Sequence, residues 1–285
     1  MLGRKVTEAF AGDHVAVGAA RQAAGSLLAC DVTRLDDVRS VFRRVMPQAV
    51  VNCAAYTAVD ACEANRELAF LANAIGARNA AIAASETNAD LCHVSTDYVF
   101  DGEKAGEYDE YDAPAPLSTY GKSKLAGEEA VRAFAPRWSI VRTQWLYGEG
   151  GKNFPETIIR LAKERPEVSV VDDQTGKPTY AGDLARQIRL IVESRQYGLF
   201  HAADGGVTTW YRFAKAVLER SGLGHVPMRP ITTAEYPTPA RRPRNSALRN
   251  MNLELTIGDS MPPWESGLDE FMRRRNDSSV AEGRA

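Results

Sequence analysis

Two periods of apolar residues alternate along this chain. Short continuous apolar runs give way to longer stretches in which apolar positions recur every three or four residues, the marks of buried strands and amphipathic helices. The opening stretch Leu2–Phe10 has helical spacing, and residues 14–17 form a short apolar run that predicts a strand. Thr33 with Asp36 three positions later is a capping-box pattern, and Leu35, Val38, Val41, Phe42 and Val45 follow at helical spacing until Pro47. Strands are predicted at Ala49–Asn52, residues 91–96 and residues 138–142, and helices at residues 66–85 and 118–134. Strands separated by helices of this length imply right-handed βαβ units and a parallel sheet.

Past Gly148 the rhythm is less regular. Helical patterns cover residues 154–165, 180–195 and 209–221, and strands are predicted at Val168–Val171 and residues 197–202. Residues 237–243, rich in Pro and Arg, break regular structure, and the residues after Arg275 read as a frayed tail. The fold class expected is therefore α/β, a doubly wound parallel sheet (Rossmann-like) with a smaller α/β substrate-binding lobe. The dinucleotide-binding domain is assigned to residues 1–148 and the substrate lobe mainly to 149–285, with elements around 168–200 returning to the first sheet.

Composition removes several alternatives. The 285 residues carry 35 Lys+Arg against 37 Asp+Glu, a formal charge of −2, which argues against non-specific nucleic-acid binding. No apolar run approaches the ~18 residues of a membrane span, and the N-terminus lacks a signal-peptide stretch. Cys30, Cys53, Cys62 and Cys92 form no CxxC and read as reduced core residues of a cytoplasmic protein.

Open parallel sheets bind ligands beyond the carboxyl ends of their strands. One such end reads Asn52-Cys53-Ala54-Ala55-Tyr56-Thr57, whose small residues admit a flat ligand close to the backbone; another reads Ser95-Thr96-Asp97. Either segment alone reads first as a packed strand–helix corner. Tyr120 and Lys124, four apart in a predicted helix, share one face. An ammonium beside a phenol favours the phenolate and makes the phenol a better acid near neutral pH. With the Thr96 hydroxyl, the pair is suited to protonating an oxygen while hydride reaches its carbon.

At this point a resemblance is evident. The segments Asn52-Cys53-Ala54-Ala55-Tyr56-Thr57-Ala58-Val59-Asp60, Ser95-Thr96-Asp97-Tyr98-Val99-Phe100 and Tyr120-Gly121-Lys122-Ser123-Lys124-Leu125-Ala126-Gly127-Glu128 resemble the dTDP-4-dehydrorhamnose reductase family, which belongs to the extended short-chain dehydrogenase/reductases. Arg142-Thr143-Gln144-Trp145, Asp173-Gln174 with Pro178-Thr179, and Thr208-Thr209-Trp210 match as well. The resemblance implies an NAD(P)H-dependent oxidoreductase that reduces dTDP-4-dehydro-L-rhamnose to dTDP-L-rhamnose. It makes Thr96, Tyr120 and Lys124 the catalytic set, with Tyr120 the proton donor. Leu2, Gly3, Asp31, Val32, Ala55, Tyr56 and Thr57, together with Tyr120 and Lys124, are implied to hold the cofactor. Thr96, Asp97 and Trp145 are implied to touch the sugar. Arg241, Arg242 and Arg244 either face the nucleotide diphosphate or form a solvated turn, and are not assigned to the site.

Three departures from the family matter. The family opens with a strand and a G-x-x-G-x-x-G loop; here only Met1-Leu2-Gly3-Arg4 corresponds, with Gly3 at the last glycine. A longer native chain is therefore expected, because loss of a central strand leaves its neighbours without hydrogen-bond partners. Gly18 stands where an acidic residue would read the ribose hydroxyls, and Arg21 follows, so NADPH is expected over NADH. Lys5 stands where an acidic magnesium ligand is described in some members, and no metal is expected. The substrate partner is a small molecule, a dTDP-sugar, and a homodimer is compatible with the resemblance. Competing readings are a reductase of another nucleotide-linked 4-keto-6-deoxysugar, an inactive short form, and a non-catalytic subunit like the regulatory subunit of methionine adenosyltransferase. Retention of Thr96, Tyr120 and Lys124 together favours the reductase.

Overall fold

The computed structural model describes residues 1–282. Four parallel strands form its main sheet: β1 (Ala49–Asn52), β2 (Asp90–Thr96), β3 (Trp138–Thr143) and β4 (Gly198–His201). Their order across the sheet is β4-β3-β2-β1. Register places Asn52 opposite His93, and Thr96 opposite Thr143, so the chemistry-bearing positions end along one rim.

Helices cover both faces. On one lie α2 (Leu35–Val45), α3 (Gly76–Thr87) and α4 (Thr119–Phe134), burying Val38, Phe42, Ala80, Ala84, Val131 and Ile140 against the sheet. The other carries α1 (Leu2–Phe10) and α6 (Ala181–Ser194), which enclose Val6, Val141, Leu184, Ile188 and Phe200. The doubly wound arrangement follows from strands that are apolar toward both faces. Helix α3 continues from a π-turn, Leu71–Ile75, and its alanines let it sit close to its neighbours.

The second lobe has its own core, in which α5 (Phe154–Glu164), α7 (Trp210–Arg220) and α8 (Trp264–Glu282) pack Ile158, Val168, Phe213, Val217, Leu268 and Phe271 around Tyr147. Val168–Val171 pairs in parallel with Met228–Ile231, within this lobe. Of the elements expected to return to the first sheet, α6 and β4 do so and Val168–Val171 does not.

Three further expectations need correction. Residues 14–17 are not a strand: Val15 is 96% exposed, and a parallel ladder forms instead between Ala19–Ala20 and Leu28–Ala29. That ladder is separate from the main sheet, whose last strand on this side is β1. An apolar run with no strand beside it has no ladder to join. Thr33 does not cap α2, whose N-cap is Arg34; Asp31 Oδ1 instead takes the Thr33 N–H at 3.0 Å and its hydroxyl at 2.7 Å. The chain past Arg275 continues α8 through Glu282, with Arg273 paired to Asp277 one turn on; residues 283–285 lie outside the described part.

Candidate active site

Strand β2 ends at Thr96, whose hydroxyl accepts the Tyr98 N–H at 3.2 Å and donates to Asp97 Oδ1 at 2.9 Å. The chain turns sharply there, and both side chains stay buried at the rim. Burial pushes the Asp97 carboxyl up to about 6, against hydrogen bonds from Ser246 and Thr96 that favour its charge.

Helix α4 delivers the other two members. Ser118 caps it by accepting the Gly121 N–H at 3.1 Å, and Glu63 accepts the Thr119 N–H and hydroxyl, each at 2.8 Å. Tyr120, Lys124 and Glu128 follow at intervals of four on a single, fully buried face. Two glycines bring that face home. A Cβ at Gly121 would lie 2.1 Å from the Tyr98 carbonyl oxygen, and one at Gly127 2.3 Å from that of Asn73.

Burial pushes the Tyr120 phenol well above its ordinary pKa, and a hydrogen bond with Thr96 works in the opposite direction. Lys124 is turned away from the phenol. Its Nζ donates to the Val94 carbonyl at 2.7 Å and lies 3.3 Å from His93 Nε2. Burial brings the lysine down to about 8, with Glu128 and Cys53 acting the other way. The expected acidification of the tyrosine by a neighbouring ammonium is thus not built into this arrangement; the low-dielectric setting outweighs it.

Glu128 anchors the helix. Its carboxylate accepts from Ser95 Oγ at 2.6 Å and from Arg142 Nε and Nη2 at 2.9 and 2.8 Å, with Arg132 Nη2 at 3.1 Å. Burial alone would raise its pKa, yet the bonds and charge of Arg142, with Ser95, hold it below the usual value. These bonds tie α4 to β2 and β3 directly behind the reacting face.

Gly3 opens α1 next to Cys53, and Met1 packs against Gly148 and Gly151. Ala55 and Thr57 are exposed, while Tyr56 is held by Asn73, which accepts its N–H at 2.7 Å and donates to its carbonyl at 3.2 Å. Farther along, Asn79 donates to the Val32 carbonyl at 2.9 Å, next to Asp31. At the end of β3, Thr143 Oγ1 and Gln144 Nε2 are buried polar atoms without a hydrogen-bond partner among the described residues, and Thr143 stands in register with Thr96. Exposed Ala54 and Ala55 beyond β1, and the buried Thr143 hydroxyl in register with Thr96, leave polar and small groups at this rim for a flat dinucleotide and a polar substrate to meet. Lys5, by contrast, is buried and pairs with Glu149 at 2.9 Å, so it is already matched by a carboxylate.

Trp145 lies just beyond the end of β3. Its backbone adopts φ 44°, and its ring stacks on Trp210 at 3.6 Å and 13°, over Gly176, where any Cβ would meet the ring at 2.5 Å. A left-handed backbone at a tryptophan is costly, of order 1–3 kcal/mol, and persists where surroundings over-determine it. Arg242 is committed to Asp60, at 2.9 and 3.0 Å, and so straps residues 237–243 to the helix Val59–Ala64. Arg241 and Arg244 are exposed.

Sequence reasoning passed over His93, Asn52, Glu128 and Arg142. The i, i+4, i+8 series Tyr120, Lys124, Glu128 was a readable signal for Glu128. His93 and Arg142 gave none, because a polar residue inside an apolar run reveals its partner only after strands are paired.

Residues 1–276 match the family model described as the RmlD substrate binding domain. The dTDP-4-dehydrorhamnose reductase of Escherichia coli K12 is 39% identical over 267 residues, covering 87% of this chain and 89% of that one. A crystal structure of a dTDP-4-dehydrorhamnose reductase from Clostridium acetobutylicum superposes with a TM-score of 0.90 at 41% identity, covering 96% of each chain. Another, from Bacillus anthracis in complex with NADP, gives 0.90 at 39% identity, covering 96% of this chain and 95% of that one. The rim that gathers Thr96, Tyr120 and Lys124 therefore sits in a fold shared from end to end with these enzymes, and the chain belongs to the dTDP-4-dehydrorhamnose reductase family.

Proposed function

We propose that Tyr120, Thr96 and Lys124 carry the reduction of dTDP-4-dehydro-L-rhamnose to dTDP-L-rhamnose in this chain, an NADPH-dependent oxidoreductase of dTDP-rhamnose biosynthesis. The observation that carries the assignment is the hydroxyl pair: the buried Tyr120 phenol, whose pKa Thr96 draws down against burial, beside Thr96 at the carboxyl end of β2. NADPH, when bound, supplies the hydride. Tyr120 gives its proton to the 4-keto oxygen as the carbonyl carbon becomes a secondary alcohol, so carbon and oxygen each gain one hydrogen. Because burial holds the phenol proton firmly, it is delivered only as negative charge develops on that oxygen.

Thr96 donates or accepts at the same oxygen and keeps it in line with the phenol. Asp97 orients the sugar, and the stacked Trp145 and Trp210 wall its far side. Lys124 reaches the nicotinamide ribose, with Leu2, Gly3, Asp31, Val32, Ala55, Tyr56 and Thr57 along the cofactor groove. The cofactor lobe comprises residues 1–148 with α6 and β4, and the substrate lobe the remainder.

Tyr120→Phe tests the assignment. It removes one oxygen from the site and is expected to lower kcat by ~10²–10⁴-fold while leaving the cofactor dissociation constant within about twofold. Retained turnover would remove Tyr120 from the role of acid.

A further inference from the structure

A buried hydrogen-bond chain behind Lys124 has a definite polarity. Asn52 Oδ1 accepts the Ala54 N–H at 3.1 Å, a bond that only an oxygen can accept. The amide nitrogen of Asn52 therefore faces His93, with Nδ2 3.1 Å from the ring Nδ1. Nδ1 must then present a lone pair. His93 is fully buried, and burial drives its pKa well below the ordinary value, so the ring is neutral. A neutral imidazole with a bare Nδ1 carries its proton on Nε2. That N–H points at Lys124 Nζ, 3.3 Å away.

Two donors cannot hydrogen-bond each other. The contact is a hydrogen bond only when the Lys124 nitrogen offers a lone pair, while another of its hydrogens goes to the Val94 carbonyl. We infer that Asn52 and His93 form a tautomer lock that favours the neutral amine of Lys124 in the ligand-free site, making His93 a positioning residue for this lysine. The inference rests on the reading of Lys124 given above and deepens it: the lysine holds its proton more tightly once a phenolate or ribose hydroxyls replace His93 as its partner.

The surroundings agree. The groups that act on Lys124 are Cys53, from the end of β1, and Glu128 on its own helix; the Glu128 carboxylate is already bonded to Ser95 and Arg142 from the strands. Cys53 is buried, and its thiol is pushed up to about 12, so it is neutral. Tyr120 is likewise neutral. Glu128 is the remaining charge favouring the ammonium, and Arg142 neutralises it in a bidentate pair.

The decisive measurement is ¹⁵N NMR of the ligand-free protein with labelled histidine. The expected spectrum for His93 has a protonated Nε2 and a bare Nδ1 at neutral pH; a proton on Nδ1 overturns the inference. A second arm follows the ionisation of Lys124 by ¹³C-labelled lysine. Asn52→Asp calls the ring proton to Nδ1 and turns Nε2 into an acceptor, so the midpoint is expected to rise by at least about one pH unit, tenfold in proton affinity. The same change in a His93→Phe background measures the bare effect of the added carboxylate and is expected to give a clearly smaller rise. Equal rises in both backgrounds overturn the inference. Neither readout needs turnover, so loss of the reductase reading through Tyr120→Phe would leave this outcome separate.

Discussion

Removing the Glu128 charge probes what holds α4 in place. Glu128 is fully buried, and Arg142, whose side chain is 2% exposed, has no other carboxylate within salt-bridge distance among the described residues. Arg142 Nη1 already lacks a hydrogen-bond partner, and the guanidinium lies 5.1 Å from the Phe100 ring centre. Deleting one member of such a pair strands the other charge in a low-dielectric interior, which costs ~3–5 kcal/mol. Glu128→Gln keeps the shape and one or two hydrogen bonds, so the lower end, ~3 kcal/mol, is expected. Set against a typical stability of ~5–15 kcal/mol, that is a large fraction. Urea unfolding followed by circular dichroism reads it as a fall in midpoint at unchanged slope. Replacing both partners, Glu128→Met with Arg142→Leu, removes the stranded charge and is expected to recover at least half of the loss. A single variant that loses less than about 1 kcal/mol, or a double variant as unstable as the sum of the two singles, would refute the reasoning.

Two further outcomes follow from the site. The Asp97 carboxyl, at about 6 in the folded protein, lies above its unfolded value of 3.8, so the stability it contributes is present below about pH 4 and lost as pH rises through 6. Between pH 4 and 7 the protein is expected to lose up to ~3 kcal/mol relative to Asp97→Asn; a difference independent of pH would contradict this. With Gly18 at the acidic position and exposed Arg21 near Asp31, kcat/KM for NADPH is expected to exceed that for NADH by tenfold or more, the worth of ~1.4 kcal/mol of phosphate pairing. Equal values for the two cofactors would exclude a role for Arg21.

Most of the regular elements were legible because their patterns are local. The spacing of Val38, Val41, Phe42 and Val45 is that of a helix whether or not a sheet lies beneath it, and Leu35–Val45 is the helix found. The run at residues 14–17 has the same local strength but is not a strand, because a ladder needs a neighbour and none lies alongside. As a chain terminus the stretch past Arg275 is expected to fray, yet pairs such as Arg273 with Asp277 accompany helix through Glu282.

The site divides the same way. Sequence alone determined which segments carry hydroxyls, small residues and the Tyr120/Lys124 pair, and which family these motifs belong to, since spacing along a helix and order along the chain are properties of the polymer. Only the tertiary structure decided what each group touches. It sets Lys124 against Val94 and His93 rather than Tyr120, spends Arg242 on Asp60, stacks Trp145 on Trp210 and buries Glu128 against Arg142. Those partners lie between 14 and 182 residues apart, with His93 and Val94 at 31 and 30 from Lys124. Burial and hydrogen-bond geometry, which set charge states, arise only once strands and helices have closed around them.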